Sequence, residues 1–226
     1  VSPTIRADVS FELFQARHPI LVLQDKPVIA NDIRLNEQQS VLVISGPNAG
    51  GKTVAMTTVG LMALMLRAGL PIPVSAGSTM SLLRAVVSTI GDLQSLSEDL
   101  STFSAHLASL AQMLERAGSS SLVLIDEIAS GTDPVEGAAL GQAVLEGLVD
   151  RGARVLVTTH LEAIKALGMT DERFVNARVG YDSHSMRPTY RLELDVAGVS
   201  NALSVASQSG IPSDIVKRAE KYLEGS

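Results

Sequence analysis

The sequence predicts an α/β fold with a mostly parallel sheet flanked by helices, on three observations. Short apolar, β-branched runs alternate along the chain with longer segments of helical period. A glycine-dense run, "SGPNAGGKT", lies directly between one such strand and one such helix. Hydrophobic residues make up 46% of the 226 residues and charged ones 19%, which excludes a disordered chain and suits strands covered on both faces.

Taken in order, residues 1–40 are expected to add edge strands. "SVLVIS" (Ser40–Ser45) reads as a buried strand and Thr53–Ala68 as the following helix, ended by Gly69 and Pro71. "AVVSTI" (Ala85–Ile90) is a second strand. Ser101–Arg116 has Phe103, Leu107, Leu110 and Leu114 at helical spacing, with Ser101 as N-cap and Gly118 as stop. "SLVLIDE" (Ser121–Glu127) is a strand charged only at its C-terminal end. Pro134 opens a helix running to about Arg151. "ARVLVTTH" (Ala153–His160) is a further strand with a polar tip, followed by a helix Leu161–Leu167. This spacing argues for right-handed βαβ units. After Met169 the texture changes: Phe174–Tyr181 and Thr189–Asp195 read as a hairpin, and Asn201–Ser209 and Ser213–Leu223 as closing helices. The expected organisation is one domain over 1–226, with a core at 41–168, hairpin strands at 169–198 and helices at 199–226.

Composition narrows the function. A net charge of −6 makes the chain on its own a poor ligand for duplex DNA, which rewards a basic face. Three Tyr, four Phe and no Trp leave few platforms for stacking single-stranded bases. With no cysteine there are no disulfides and no thiolate metal sites, and a reducing, cytoplasmic setting is expected. No membrane partner is expected: Val54–Leu66 is too short for the roughly 20 apolar residues of a span and is closed by Arg67. The chain opens on Val1 without Met, as expected of a piece of a longer protein or of a processed chain.

The glycine run explains itself as a phosphate cradle. Gly46-Pro47-Asn48-Ala49-Gly50-Gly51-Lys52-Thr53 matches G-x-x-x-x-G-K-[ST], the Walker A pattern. Glycines let backbone N–H groups converge on an anion, and a helix beginning near Lys52 turns its positive end toward it. Lys52 would bridge the β- and γ-phosphates and Thr53 would ligate Mg²⁺. Asp126 and Glu127, at a strand tip, are expected beside that loop. Asp126 suits the magnesium side and Glu127 a base for the attacking water; a solvated strand end is the alternative. His160, at the next strand tip, would touch the γ-phosphate or the water, or else cap its helix. His18, His106 and His184 have no metal-ligand spacing and read as surface or satisfied histidines.

These motifs resemble one family. "SGPNAGGKT" is similar to the loop of MutS proteins, "LSTFSAHL" (Leu100–Leu107) to their signature region, "LVLIDEIASGTDPVEGAAL" (Leu122–Leu140) to their Walker B strand and following loop, and "VTTHLEAI" to their histidine switch. "ARHPIL", "PVIANDI" and the tail "SNALSVASQSGIPSDIVKRAEKYL" resemble further family segments. Ala49, Thr53, "STFSAHL" and "GTDPVEGAAL" look most like the second bacterial branch, which is associated with suppressing recombination and with branched nucleic acids. Classical members more often carry Met at the position of Ala49 and Ser at that of Thr53.

The resemblance implies an ABC-type P-loop ATPase domain that takes ATP/ADP and Mg²⁺ and pairs with a second copy. Each loop would be covered by the partner's signature segment, so Ser101 and Thr102 would act in trans and Asp133 would communicate across the dimer. Read alone, Ser101 is an N-cap and Asp133 a turn residue before Pro134. Val28 and Ile29 stand where classical relatives place an aromatic against adenine. DNA would be engaged by domains that this chain lacks. Two alternatives stay open: another ABC-type ATPase, SMC-like or transporter-like although L-S-G-G-Q is absent, and a nucleotide-gated dimerisation module with negligible turnover.

Overall fold

A computed structural model describes residues 1–47, 49–90, 102–182, 187–198, 206 and 210–224. In chain order the elements are β1 (Thr4–Arg6), β2 (Phe11–Ala16), α1 (Pro19–Leu23), β3 (Asn31–Leu35), β4 (Val41–Ser45), α2 (Lys52–Arg67), β5 (Thr79–Ser81) and β6 (Ala85–Thr89). They continue with α3 (Thr102–Arg116), β7 (Ser121–Ile125), α4 (Pro134–Asp150), β8 (Arg154–Thr158), α5 (Glu162–Thr170), β9 (Phe174–Asp182), β10 (Arg187–Leu194) and α6 (Ser213–Glu224).

The larger sheet has the order β10-β9-β4-β8-β7-β6 and is parallel except for the β9–β10 pair. Its central strands carry unbroken apolar runs, Val41–Ile44, Leu122–Ile125 and Val155–Val157, because both faces are covered. The period of two then divides them cleanly. Leu42 and Ile44 of β4 join one core with Met56, Val59 and Met62 of α2. Val41 and Val43 join the other, with Leu110 and Met113 of α3, Leu145 and Leu148 of α4, and Ile164 of α5.

One expectation changes and another holds with an addition. The N-terminal strands do not lengthen this sheet's edges. They pair with β5 in a separate sheet, ordered β1-β5-β2-β3. The reason is the alternation of Phe11, Leu13, Ile33 and Leu35, which makes a one-sided apolar face that packs into the α2 core. Phe174–Tyr181 does form a hairpin with the next strand, but β9 also pairs in parallel with β4 and so belongs to the main sheet. The expected helices over 53–68, 101–116 and 134–151 correspond to α2, α3 and α4. The expected helix over 201–209 lies, except for residue 206, outside the described residues.

Candidate functional site

The loop between β4 and α2 alternates its backbone hand. Gly46, Ala49 and Gly51 all have positive φ (128°, 62° and 94°), the kind of alternation that turns successive N–H groups toward one point. Gly51 is the N-cap of α2 in a left-handed conformation with no side-chain cap, so the helix start is open. Lys52 follows, 7% exposed, its Nζ donating to the carbonyls of Gly46 (2.9 Å) and Pro47 (3.2 Å). Desolvation holds its pKa below the ordinary lysine value, and the charges of Glu127 and Asp126 pull it back up.

Behind the loop stands Gly198. Its N–H donates to Ser45 Oγ (2.7 Å), and a Cβ there would come 2.8 Å from the Gly46 nitrogen, so no larger residue fits without moving the loop. The buried Lys165 secures that contact by donating to the Gly198 carbonyl (2.9 Å) and to Glu162 (2.7 Å).

The carboxylates arrive from β7, two strands away from β4. Thr53 Oγ1 donates to Asp126 Oδ2 (2.8 Å), so hydroxyl and carboxylate oxygen already share one point. Thr158, at the end of β8 between them, donates to Asp126 Oδ1 (2.5 Å) and accepts from the Glu127 N–H (2.8 Å). Glu127 itself is left-handed (φ 50°). Ala49, Gly51, Lys52, Thr53, Asp126, Glu127 and Tyr190 line one cavity of about 320 Å³.

An apolar cavity of about 390 Å³ adjoins it across Gly51, Val54 and Tyr190, and Val28 and Ile29 line its far part. Tyr190 escaped the sequence reading. It is brought there by a bulge in β10 between Pro188 and Leu192, with φ 56°. Asn31 of β3 holds the bulge: its Nδ2 donates to the Tyr190 carbonyl (3.0 Å) and its Oδ1 accepts from the Leu192 N–H (2.7 Å). "NDI" and "PTYR" lie far apart in the chain, and only the meeting of two sheets reveals the pair.

The remaining expectations sort as follows. His160 is exposed past the tip of β8, and the N-cap of α5 is Leu161, so the capping alternative is not realised. His160 is not among the residues that line the 320 Å³ cavity. Asp133 is the N-cap of α4, with Oδ1 accepting from Val135 N–H (2.9 Å) and Glu136 N–H (3.2 Å). Thr102 begins α3 as described, while Asn48, Ser101 and His184 lie outside the described residues. His106 is satisfied, accepting from the Ala129 N–H (3.4 Å). His18 is not: its buried Nδ1 has no partner among the described residues.

The donor set fits magnesium held with a phosphate. A threonine hydroxyl and one carboxylate are hard oxygen ligands of the kind that ion takes together with substrate oxygens and waters. Among the described residues no group of three or more His, Cys, Asp or Glu could hold a metal by itself. No helix among them is long and apolar enough to cross a membrane.

Fold and site together define an open α/β protein whose cleft lies at the C-terminal ends of parallel strands, over a glycine loop and the start of a helix. The chain belongs to the MutS family: the family model "MutS domain V" matches residues 42–225. Its relatives include proteins named "Endonuclease MutS2", so it is of the MutS2 type. That of Anaeromyxobacter sp. (strain Fw109-5) is 52% identical over 219 residues, covering 97% of this chain and 27% of the relative. That of Pelotomaculum thermopropionicum is 44% identical over 98% of this chain and 28% of the relative. That of Thermomicrobium roseum is 48% identical over 92% and 26%. The chain thus spans about a quarter of the length of the curated relatives it matches.

Proposed function

We propose that this chain is a P-loop ATPase module of ABC type. It would bind Mg-ATP between the glycine loop and the apolar cavity, hydrolyse it slowly, and pair with a second copy around two nucleotides. The observation that carries the reading is the convergence of Lys52, Thr53, Asp126 and Glu127 on one cavity beside an apolar one of nucleobase size. Triphosphate oxygens would replace the Gly46 and Pro47 carbonyls as acceptors for Lys52. Thr53 and Asp126 would hold Mg²⁺, which supplies charge neutralisation at the β- and γ-phosphates. Glu127 would accept a proton from the attacking water. Val28, Ile29 and Tyr190 would enclose the base. Ser101, Thr102 and Asp133 would complete the site of the partner copy, and His160 would contact the γ-phosphate from its strand tip.

The relatives' name, endonuclease, belongs to proteins of which this chain spans about a quarter. We assign the chain the nucleotide-driven step of a DNA-processing protein of the recombination-suppressing kind, with DNA held by other domains. Lys52→Ala should abolish nucleotide uptake in titration calorimetry. Glu127→Gln should retain uptake and lose at least about a hundredfold in phosphate release, in line with removal of a general base. A Glu127→Gln chain that turns over at the wild-type rate overturns the assignment of the base. Uptake and ATP-dependent pairing by light scattering without any phosphate release would make the chain a gated dimerisation module.

A further inference from the structure

We propose that Thr158 is the positioning residue that gives the two adjacent carboxylates their separate tasks, Asp126 on the metal side and Glu127 on the water side. This rests on the nucleotide reading above. In a strand, side chains at neighbouring positions point to opposite faces. Asp126 and Glu127 nonetheless line the same cavity. β7 ends at Ile125, and the bend that follows, left-handed at Glu127 (φ 50°), takes the two residues out of that alternation. A left-handed residue with a Cβ is strained and persists only where its surroundings impose it.

Thr158 is the part of those surroundings that reaches both acids. It is 0% exposed at the end of β8, between β4 and β7. Its hydroxyl has one proton, and that proton goes to Asp126 Oδ1 (2.5 Å). The lone pair on the same oxygen takes the Glu127 N–H (2.8 Å). Its carbonyl takes the next N–H, that of Ile128 (3.2 Å), and Ser130 closes the turn onto the Glu127 carbonyl (3.2 Å). Asp126 is thereby split: Oδ1 is committed to the sheet, and Oδ2 is left facing Thr53 (2.8 Å). One hydroxyl orients the carboxylate that would hold the ion and pins the backbone of the residue that would take the proton. The sequence shows only the first Thr of "TTH"; the pairing becomes visible when β8 is seen between the two strands that carry the chemistry.

Thr158→Val keeps the volume and removes both bonds. The test compares wild type, Thr158→Val and Thr158→Ser. It measures Mn²⁺ affinity in the presence of ADP by electron paramagnetic resonance, ADP affinity in EDTA by calorimetry, and phosphate release. Thr158→Val should weaken Mn²⁺ about tenfold or more and slow release about ten- to a hundredfold, the usual range when an outer-shell partner of a ligand is lost. Metal-free ADP affinity should stay at the wild-type value, and Thr158→Ser should restore both defects. If Thr158→Val does not fold by circular dichroism, Thr158→Ala against Thr158→Ser carries the same comparison. Unchanged Mn²⁺ affinity in Thr158→Val, an equal loss of metal-free ADP binding, or a Thr158→Ser as impaired as the valine variant overturns the assignment. A wild-type chain that takes up no nucleotide overturns the nucleotide reading and this assignment together.

Discussion

His106 is 6% exposed on α3, and its Nε2 accepts a hydrogen bond from Ala129, two residues past Glu127. An acceptor nitrogen carries no proton, so the folded chain needs the neutral imidazole. Burial lowers the pKa of His106 from its ordinary 6.5, and also that of His18. The unfolded chain, with the ordinary value, then binds more protons in the window below 6.5. Stability from these histidines is complete above 6.5 and is lost as the pH falls through their lower folded-state values. Calorimetric melts between pH 7 and pH 5 should therefore show a falling Tm. The fall should be shallower in His106→Gln, whose side-chain carbonyl can still accept from Ala129 but does not titrate. An unchanged slope in that variant would remove His106 as a source and leave His18. The sequence reading of His106 as a satisfied histidine holds, but its partner, a backbone N–H from the loop after β7, was out of reach: nothing local in "SAHL" names it.

At the scale of elements, what a few neighbouring residues decide was the most legible. Pro134 fixes a backbone angle suited to the first helical turn, and Asp133 before it supplies the cap oxygen for α4. Asp133→Ala should cost about 0.5–1 kcal/mol, as loss of an exposed cap does. Tm should then fall by about 1–4 °C for a chain of this size. Asp133→Asn, which keeps an acceptor oxygen, should recover most of it. A communicating role across a dimer is separable from capping: it requires that Asp133→Asn lose ATP-dependent pairing while its Tm stays near wild type. The strands of the parallel sheet were legible for a similar reason, since strands covered on both faces carry short apolar runs bounded by turn residues. The partners of β9 were not. A strand with one parallel and one antiparallel neighbour has the same local pattern as half of a free hairpin, and register against β4 is a long-range fact.

Across the whole molecule, α2 is the joint. It sits between two sheets, and one core unites Phe11, Leu13, Ile33 and Leu35 of the small sheet with Met56, Val59 and Met62 of α2 and Leu42, Leu122 and Leu156 of the large one. Asn31 ties the sheets again at the site itself. This is why the glycine loop, the carboxylates, Val28 and Ile29 could be singled out in the sequence while Tyr190, which lines the same apolar cavity, could not. The loop is a contiguous string, whereas Tyr190, Gly198 and Asn31 gain their roles only where separate sheets and loops close on one another. A shared core of this kind also makes a prediction. The two sheets should not melt separately: the unfolding of wild type should be a single transition whose calorimetric and van't Hoff enthalpies agree. Mg-ATP at about 100 times its dissociation constant should stabilise that one transition by about 2.7 kcal/mol. That corresponds to a rise of about 5–11 °C in Tm at this size. Under the proposed function that free energy would enter at the glycine loop and be spread through α2, because neither sheet has a complete core without that helix. Two resolved transitions, of which only one moves with nucleotide, would mean that the small sheet is an independent unit resting against α2 rather than part of the same fold.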